Sequence, residues 1–97
     1  MKSLNIIAVC GFGLGSSMVL KMKVEEVLRE ENIEGKVSTA DVGSAAATAC
    51  DVIFTSYELG EKLESSVTVP VVMIQNFVNK AEIREKGLPV LQRLMAE

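Results

Sequence analysis

Histidine is absent from the 97 residues. Its absence removes the Ser-His and Cys-His pairs that activate many hydrolytic nucleophiles, and most of the usual ligand sets for zinc and haem. Tryptophan is absent too, and aromatic residues make up only 4% of the chain, too few for a base-stacking platform. A net charge of −3 lacks the basic face that a phosphate backbone requires, which argues against nucleic acid as a partner. Long apolar runs are lacking as well. The first stretch, residues 4–9, is cut off by glycine after about six residues, too short for a signal peptide or a membrane span. A cytoplasmic protein is therefore expected. Its two cysteines then read as thiols, not as a disulfide framework.

The 48% of residues that are apolar exclude intrinsic disorder, and the length suits one domain, residues 1–97, with a single core. Apolar runs alternate with helical patterns. Strands are expected at 4–9, 36–42, 51–55 and 70–75. The first helix is expected at 16–31, with Leu20, Val24, Val27 and Leu28 on one face and Glu25, Glu26, Arg29 and Glu30 on the other. Ser16 or Ser17 would cap it, and residues 32–35 would close it. Short helices are expected at 43–49 and 56–64. The pattern at 80–95 is helical but interrupted at Gly87-Leu88-Pro89, where Pro89 suits the first turn of a final helix better than a helix interior.

A β-α-β-α-β-α-β-α chain with continuous apolar strands predicts an α/β fold: a four-stranded parallel sheet with helices on both faces. Strand order 2-1-3-4 is expected, flavodoxin-like and like the low-molecular-weight phosphatases. Ligands of such sheets bind outside the carboxyl ends of the strands, at the switch point beside the first. That rim would hold the turn after residue 9, Asp41-Val42-Gly43, Thr55-Ser56-Tyr57 and Gln75-Asn76-Phe77.

The turn after residue 9 carries the chemistry. Cys10 stands at the end of a buried strand and leads into Gly11-Phe12-Gly13-Leu14-Gly15-Ser16-Ser17. Alternating glycines allow successive backbone N–H groups to turn inward, and a helix N-terminus adds partial positive charge. Such surroundings lower a thiol's pKa below the free value of about 8.5, and the thiolate is the nucleophile. The simplest reading is a cysteine that carries, or attacks, a phosphoryl group. Other readings compete. A dinucleotide site would use the three glycines with Asp41 on ribose, but the chain is short for two mononucleotide-binding halves and NAD needs no cysteine there. A P-loop lacks its Gly-Lys-Ser/Thr ending. A low-molecular-weight phosphatase matches in loop length, yet its arginine position is Ser16, so the bidentate cationic clamp on the phosphate is missing. The loop suits holding a phosphoryl group better than releasing it to water.

Residues 9–18, Val9-Cys10-Gly11-Phe12-Gly13-Leu14-Gly15-Ser16-Ser17-Met18, continuing through Lys21-Met22-Lys23-Val24, resemble the IIB component of the bacterial phosphoenolpyruvate-dependent sugar phosphotransferase system. The ascorbate type is the closest branch, with the galactitol and lactose/cellobiose types next. The resemblance spans the chain in length and element order, and the loop-plus-helix segment is its specific part. It implies that Cys10 accepts a phosphoryl group from a phosphohistidine on a IIA partner and passes it to sugar at the membrane IIC component, with which the protein would associate peripherally. Backbone N–H groups of Gly11, Phe12, Gly13, Leu14, Gly15, Ser16 and Ser17 would bind the phosphoryl oxygens, aided by the two serine hydroxyls. No metal or other cofactor is needed, because donor and acceptor are activated side chains. A small cysteine phosphatase or arsenate-type reductase is the alternative.

The remaining candidates are weaker. Lys21 and Lys23 would steer an acidic partner, and Phe12 and Leu14 would give it apolar contact. Met18 and Met22 are expected in the core, or, if exposed, in an adaptable docking patch. Asp41, Ser56, Tyr57 and Asn76 are rim candidates by topology alone. Cys50 precedes the third strand at the amino edge, on the order of 15 Å along a strand from the carboxyl edge. A disulfide tolerates only about 7 Å between Cα atoms, so Cys50 is read as filler.

Overall fold

Strands and helices alternate in the computed structural model, which describes residues 3–9, 13–45 and 47–97 and, within these, all side chains but those of residues 13–17 and Val42. The order is β1 (Leu4–Val9), α1 (Gly13–Glu30), β2 (Gly35–Ala40), α2 (Val42–Ala45), β3 (Val52–Thr55), α3 (Tyr57–Glu64), β4 (Val71–Met73) and α4 (Lys80–Ala96). The strands form one four-stranded sheet in the expected order, β2-β1-β3-β4. All pairings are parallel, with Ile6 opposite Val37 and Val52, Val9 opposite Ala40 and Thr55, and Thr55 opposite Met73.

Side-chain alternation divides the core in two. Leu4, Ile6, Ala8, Val52, Phe54, Val72 and Ile74 meet Leu20, Val24, Val27 and Leu28 of α1 and Ile83, Leu91 and Leu94 of α4. On the other face Ile7, Val9 and Ile53 meet Ala45 of α2 and Leu63 of α3. The helical stripes have the period that one covered face demands, and strands covered on both faces read as unbroken apolar runs.

Local rules account for most boundaries. Asn32 adopts a left-handed φ of 56°. The Ile33 N–H donates to the Leu28 carbonyl at 2.9 Å and the Asn32 N–H to the Arg29 carbonyl at 3.3 Å, the paired bonds of a Schellman stop for α1. β2 ends earlier than expected because Asp41 turns to cap α2. Its Oδ1 accepts from the Ser44 N–H at 2.7 Å and the Ser44 hydroxyl at 2.8 Å. β4 is only three residues long; the Ile74 N–H still donates to the Thr55 carbonyl of β3 at 2.8 Å, and the Gln75 N–H beyond it goes to the Glu82 carboxylate.

Two expectations require correction. α1 begins at Gly13, not at residue 16, so neither Ser16 nor Ser17 is its N-cap. The last helix is not interrupted: α4 is continuous and Pro89 lies inside it. Proline there removes one hydrogen bond and costs about 3 kcal/mol. Ile83 and Gly87 before it, with Leu91 and Leu94 after it, are all buried. Burying each large apolar side chain returns about 1.5–3 kcal/mol, so packing on both sides of the break keeps the helix whole. Pro89 is exposed, as is Glu85 four residues earlier, so the break in the hydrogen-bond ladder lies on the outer face of the helix.

Gly87 sets how closely α4 approaches the sheet. A Cβ there would lie 2.6 Å from Cε2 and 2.7 Å from Cζ of Phe54, a ring that is fully buried. Gly87→Ala is therefore expected to destabilise the protein. Overpacking costs about 1–3 kcal/mol, against about 1 kcal/mol of improved helix propensity. Urea unfolding should show a lower midpoint than wild type, and an unchanged or higher midpoint would contradict the close packing.

Candidate functional site at the carboxyl edge of the sheet

In an all-parallel sheet every strand ends, and every following helix begins, at one edge. The ends of β1, β2, β3 and β4 therefore share a rim with the N-termini of α1, α2, α3 and α4. β1 is flanked by β2 and β3, so the chain reverses direction across the sheet beside it, where ligands of such folds bind.

Cys10, Gly11 and Phe12, which carry much of the expected chemistry, lie outside the described residues. The residues bracketing them are described: β1 ends at Val9 and α1 opens at Gly13. Gly13, Leu14, Gly15, Ser16 and Ser17 thus belong to the opening turns of α1. First-turn N–H groups lack intrahelical partners and carry the positive end of the helix dipole. The N-terminus of α1, the end of a helix that favours negative charge, therefore follows closely on the strand that leads to Cys10.

Thr55 backs the same strand end. It is fully buried, and its hydroxyl donates to the Val9 carbonyl at 2.9 Å. Its own carbonyl accepts from the Ile74 N–H at 2.8 Å. The topology expected Thr55 at the rim, but no pattern in the sequence signals this bond, because the partner lies 46 residues away.

The other rim candidates have local duties. Asp41 caps α2, and hydrogen bonds from the Ser44 N–H and then the Ser44 hydroxyl hold its carboxyl below the ordinary range. The Ser56 hydroxyl caps α3 by accepting the Leu59 N–H at 3.3 Å. The Asn76 side chain accepts the Val78 N–H at 3.1 Å. Tyr57 is exposed and its hydroxyl accepts from Lys86 Nζ at 2.6 Å.

That last bond belongs to a network absent from the sequence reading. Glu82 Oε2 accepts from the Gln75 N–H at 2.7 Å and Oε1 from the Asn76 N–H at 2.9 Å. The same carboxylate takes Lys86 Nζ at 2.5 Å. Glu82 and Lys86 thus tie the β4–α4 loop to the start of α3. The Asn79-to-Glu82 spacing is a readable helix-start signature, and Asn79 does cap α4. The carboxylate instead reaches back to Gln75 and Asn76, a placement that only the folded loop determines.

Lys21 and Lys23 lie in the third turn of α1, beyond the short reach of the dipole at the helix start. They face carboxylates of their own helix, Glu25 at 3.8 Å and Glu26 at 3.7 Å. Met18 and Met22 are 44% and 55% exposed, which corrects the expectation of a core position: the buried face of α1 is Leu20, Val24, Val27 and Leu28. Tyr57 and Val78 are the other large hydrophobic residues exposed among those described, and both follow strand ends at the rim. Cys50 is free and half-buried. Burial, and then the nearby Asp51 charge, push its thiol up, which suits an inert thiol. Among the described residues no cluster of three or more cysteine and acidic side chains could hold a metal ion, and no helix is long and apolar enough to cross a membrane.

The family model described as PTS system, lactose/cellobiose-specific IIB subunit, matches residues 5–87. The ascorbate-specific PTS system EIIB component of Mycoplasma pneumoniae is 32% identical over 92 residues, covering 93% of this chain and 97% of that protein. The component of the same name from Salmonella typhimurium is 33% identical over 92 residues, covering 93% and 91%. Among solved structures, the lactose-specific IIB component domain of the phosphoenolpyruvate:carbohydrate phosphotransferase system from Streptococcus pneumoniae matches with a TM-score of 0.62 and 12% identity, over 98% of this chain and 97% of that one. At that identity the likeness concerns the fold.

The Glu82 network generates a pH prediction. Burial opposes ionisation of Glu82, but hydrogen bonds from Lys86, Gln75 and Asn76 outweigh it and hold the carboxyl below its ordinary 4.5. The bond to Glu82, and then that to Tyr57, hold Lys86 above its ordinary 10.5. The carboxylate's contribution is complete above 4.5 and is lost as pH falls through the depressed value; that of the ammonium is complete below 10.5 and is lost as pH rises through the elevated one. Amide chemical shifts of Gln75 and Asn76 should titrate with a midpoint below 4.5, and Glu82→Gln should remove that transition. A midpoint at or above this value would contradict the clamp.

Proposed function

Because the chain belongs to the family of PTS system lactose/cellobiose-specific IIB subunits, we propose that its 97 residues act as one phosphocarrier domain with Cys10 as the acceptor. The observation that carries this reading is the opening of α1 at Gly13, four positions beyond the end of β1, which brings the first-turn N–H groups of a helix next to the thiol's place in the chain.

The proposed chemistry comprises two displacements. The Cys10 thiolate attacks the phosphorus of a phosphohistidine on IIA. An S–P bond forms as the N–P bond breaks, and the imidazole recovers its electron pair. A sugar hydroxyl at the membrane IIC permease then attacks the phosphocysteine. An O–P bond forms, the S–P bond breaks, the hydroxyl proton passes to solvent and the thiolate is regenerated. N–H groups of the 11–17 segment hold the phosphoryl oxygens through both steps, with the Ser16 and Ser17 hydroxyls as further donors. The names of the Mycoplasma and Salmonella relatives favour an ascorbate-type substrate. The protein would act in the cytoplasm and dock on the permease at the rim. Phe12 and Leu14 would provide apolar contact and Lys21 and Lys23 would guide approach. The exposure of Met18 and Met22 on the same helix supports a docking role for this region.

Incubation with phosphoenolpyruvate, the general phosphotransferase proteins and a IIA protein should add one labile phosphoryl group, detectable by mass spectrometry. Cys10→Ser should abolish it and Cys50→Ser should leave it intact. Full labelling of Cys10→Ser overturns the assignment. Hydrolysis of p-nitrophenyl phosphate should be negligible, given Ser16 at the phosphatase arginine position. Turnover near 1–1000 per second would favour a phosphatase instead.

Docking gives a second expectation. Phe12→Ala should slow transfer from phosphorylated IIA at any ionic strength, because apolar contact governs dissociation. The Lys21→Ala, Lys23→Ala double variant should slow it chiefly at low salt, because exposed charge governs association. Rates equal to wild type in both variants would move the docking face to the Tyr57 or Asn76 loops.

A further inference from the structure

We propose that Thr55 is a positioning residue for Cys10, its hydroxyl holding the carbonyl from which the chain leaves β1 for the thiol. This deepens the reading of Cys10 as phosphoryl acceptor and rests on it.

Thr55 is the one polar side chain among the described residues that is buried in the core, and it has no exposed surface. Burying a hydroxyl is unfavourable unless it is hydrogen-bonded. A valine would fill the same space with equal suitability for a strand. The hydroxyl therefore needs a reason, and its partner supplies one. Oγ1 donates to the Val9 carbonyl at 2.9 Å, and Val9 is both the last residue of β1 and the register partner of Thr55. That carbonyl belongs to the peptide bond into position 10. Peptide bonds are planar, so restraining the carbonyl restrains the orientation of the whole unit.

The restraint is anchored from behind. The Thr55 carbonyl accepts the Ile74 N–H at 2.8 Å, so this residue links the end of β1 to the segment that follows β4. A β-branched side chain has few χ1 rotamers, so the hydroxyl is aimed by the strand itself. A thiolate stabilised by a helix N-terminus depends on its placement within that terminus's short reach. Release of the Val9 carbonyl would loosen that placement without removing any group that touches the phosphoryl oxygens.

The test uses the full chain in a Cys50→Ser background, so that Cys10 is the sole thiol. The rate of Cys10 alkylation by iodoacetamide is measured against pH. In Thr55→Val the inflection should move up by about half a pH unit or more, while Thr55→Ser, which keeps the hydroxyl, should match the parent. Val37→Ala, a buried truncation on β2, controls for lost stability and should leave the inflection in place. If Thr55→Val does not fold, Thr55→Ala takes its place with the same expectation. An inflection in the hydroxyl-free variant equal to the parent's, a Thr55→Ser shift as large as that of Thr55→Val, or an equal shift in Val37→Ala overturns the proposal.

Transfer from a phosphorylated IIA protein is followed in the same variants and should slow about tenfold or more at saturating donor in Thr55→Val. A parent protein that takes no phosphoryl group refutes the phosphocarrier reading, whatever the alkylation profile shows. A parent that is labelled, with no change of inflection in Thr55→Val, refutes the positioning role alone.

Discussion

β1 is hydrogen-bonded along both edges, to β2 and to β3, and all its residues but Asn5 are buried. The rest of the molecule is arranged around this strand. Its even-numbered residues pack under α1 and α4, and Ile7 and Val9 under α2 and α3. Parallel pairing on both sides aligns the carboxyl ends of its neighbours with its own, and each crossover helix must begin where its strand ends. The candidate site is thus a consequence of strand direction. No separate element is devoted to building it.

The rim is then stiffened by polar contacts that differ in exposure. Thr55 is wholly buried and ties β1 to β3. The Glu82 carboxylate, 13% exposed, gathers two backbone N–H groups and the Lys86 ammonium. Charge-assisted bonds of that kind are about twice as strong as neutral ones. Farther back, Lys80 and Arg84 of α4 meet Glu26, Glu30 and Glu31 of α1. Those side chains are about one-third exposed or more. Pairs of this type contribute about 0–1 kcal/mol each, so they guide how α1 and α4 sit together while the shared apolar core holds them there.

Strand order, the parallel sheet, the covering of both faces and the gathering of the strand ends and helix starts at one edge were legible from the chain, because they follow from an alternation of apolar runs and amphipathic segments. The resemblance resting on residues 9–24 pointed to the family that the comparisons identify. Local chemistry was misread where a longer-range partner intervened. Pro89 signals a break, but burial of Leu91 and Leu94 beyond it outweighs the signal. Met18 and Met22 resemble core residues in type, yet the stripe of Leu20, Val24 and Val27 had already claimed the buried face. Ser16 and Ser17 have the side chains of caps, while α1 starts a turn earlier.

By itself, then, the sequence determined what depends on periodicity and on neighbours in the chain: the element order, the fold class, the family and the stop of α1 near Asn32. Tertiary structure alone decided what depends on residues far apart. Thr55 and Val9 are separated by 46 positions and Tyr57 and Lys86 by 29, and Gly87 matters only because the Phe54 ring lies beneath it. The reason is physical. A helix or strand pattern is written in spacings of two to four residues, whereas a hydrogen bond or a close contact across the sheet has no spacing to read until the strands have paired.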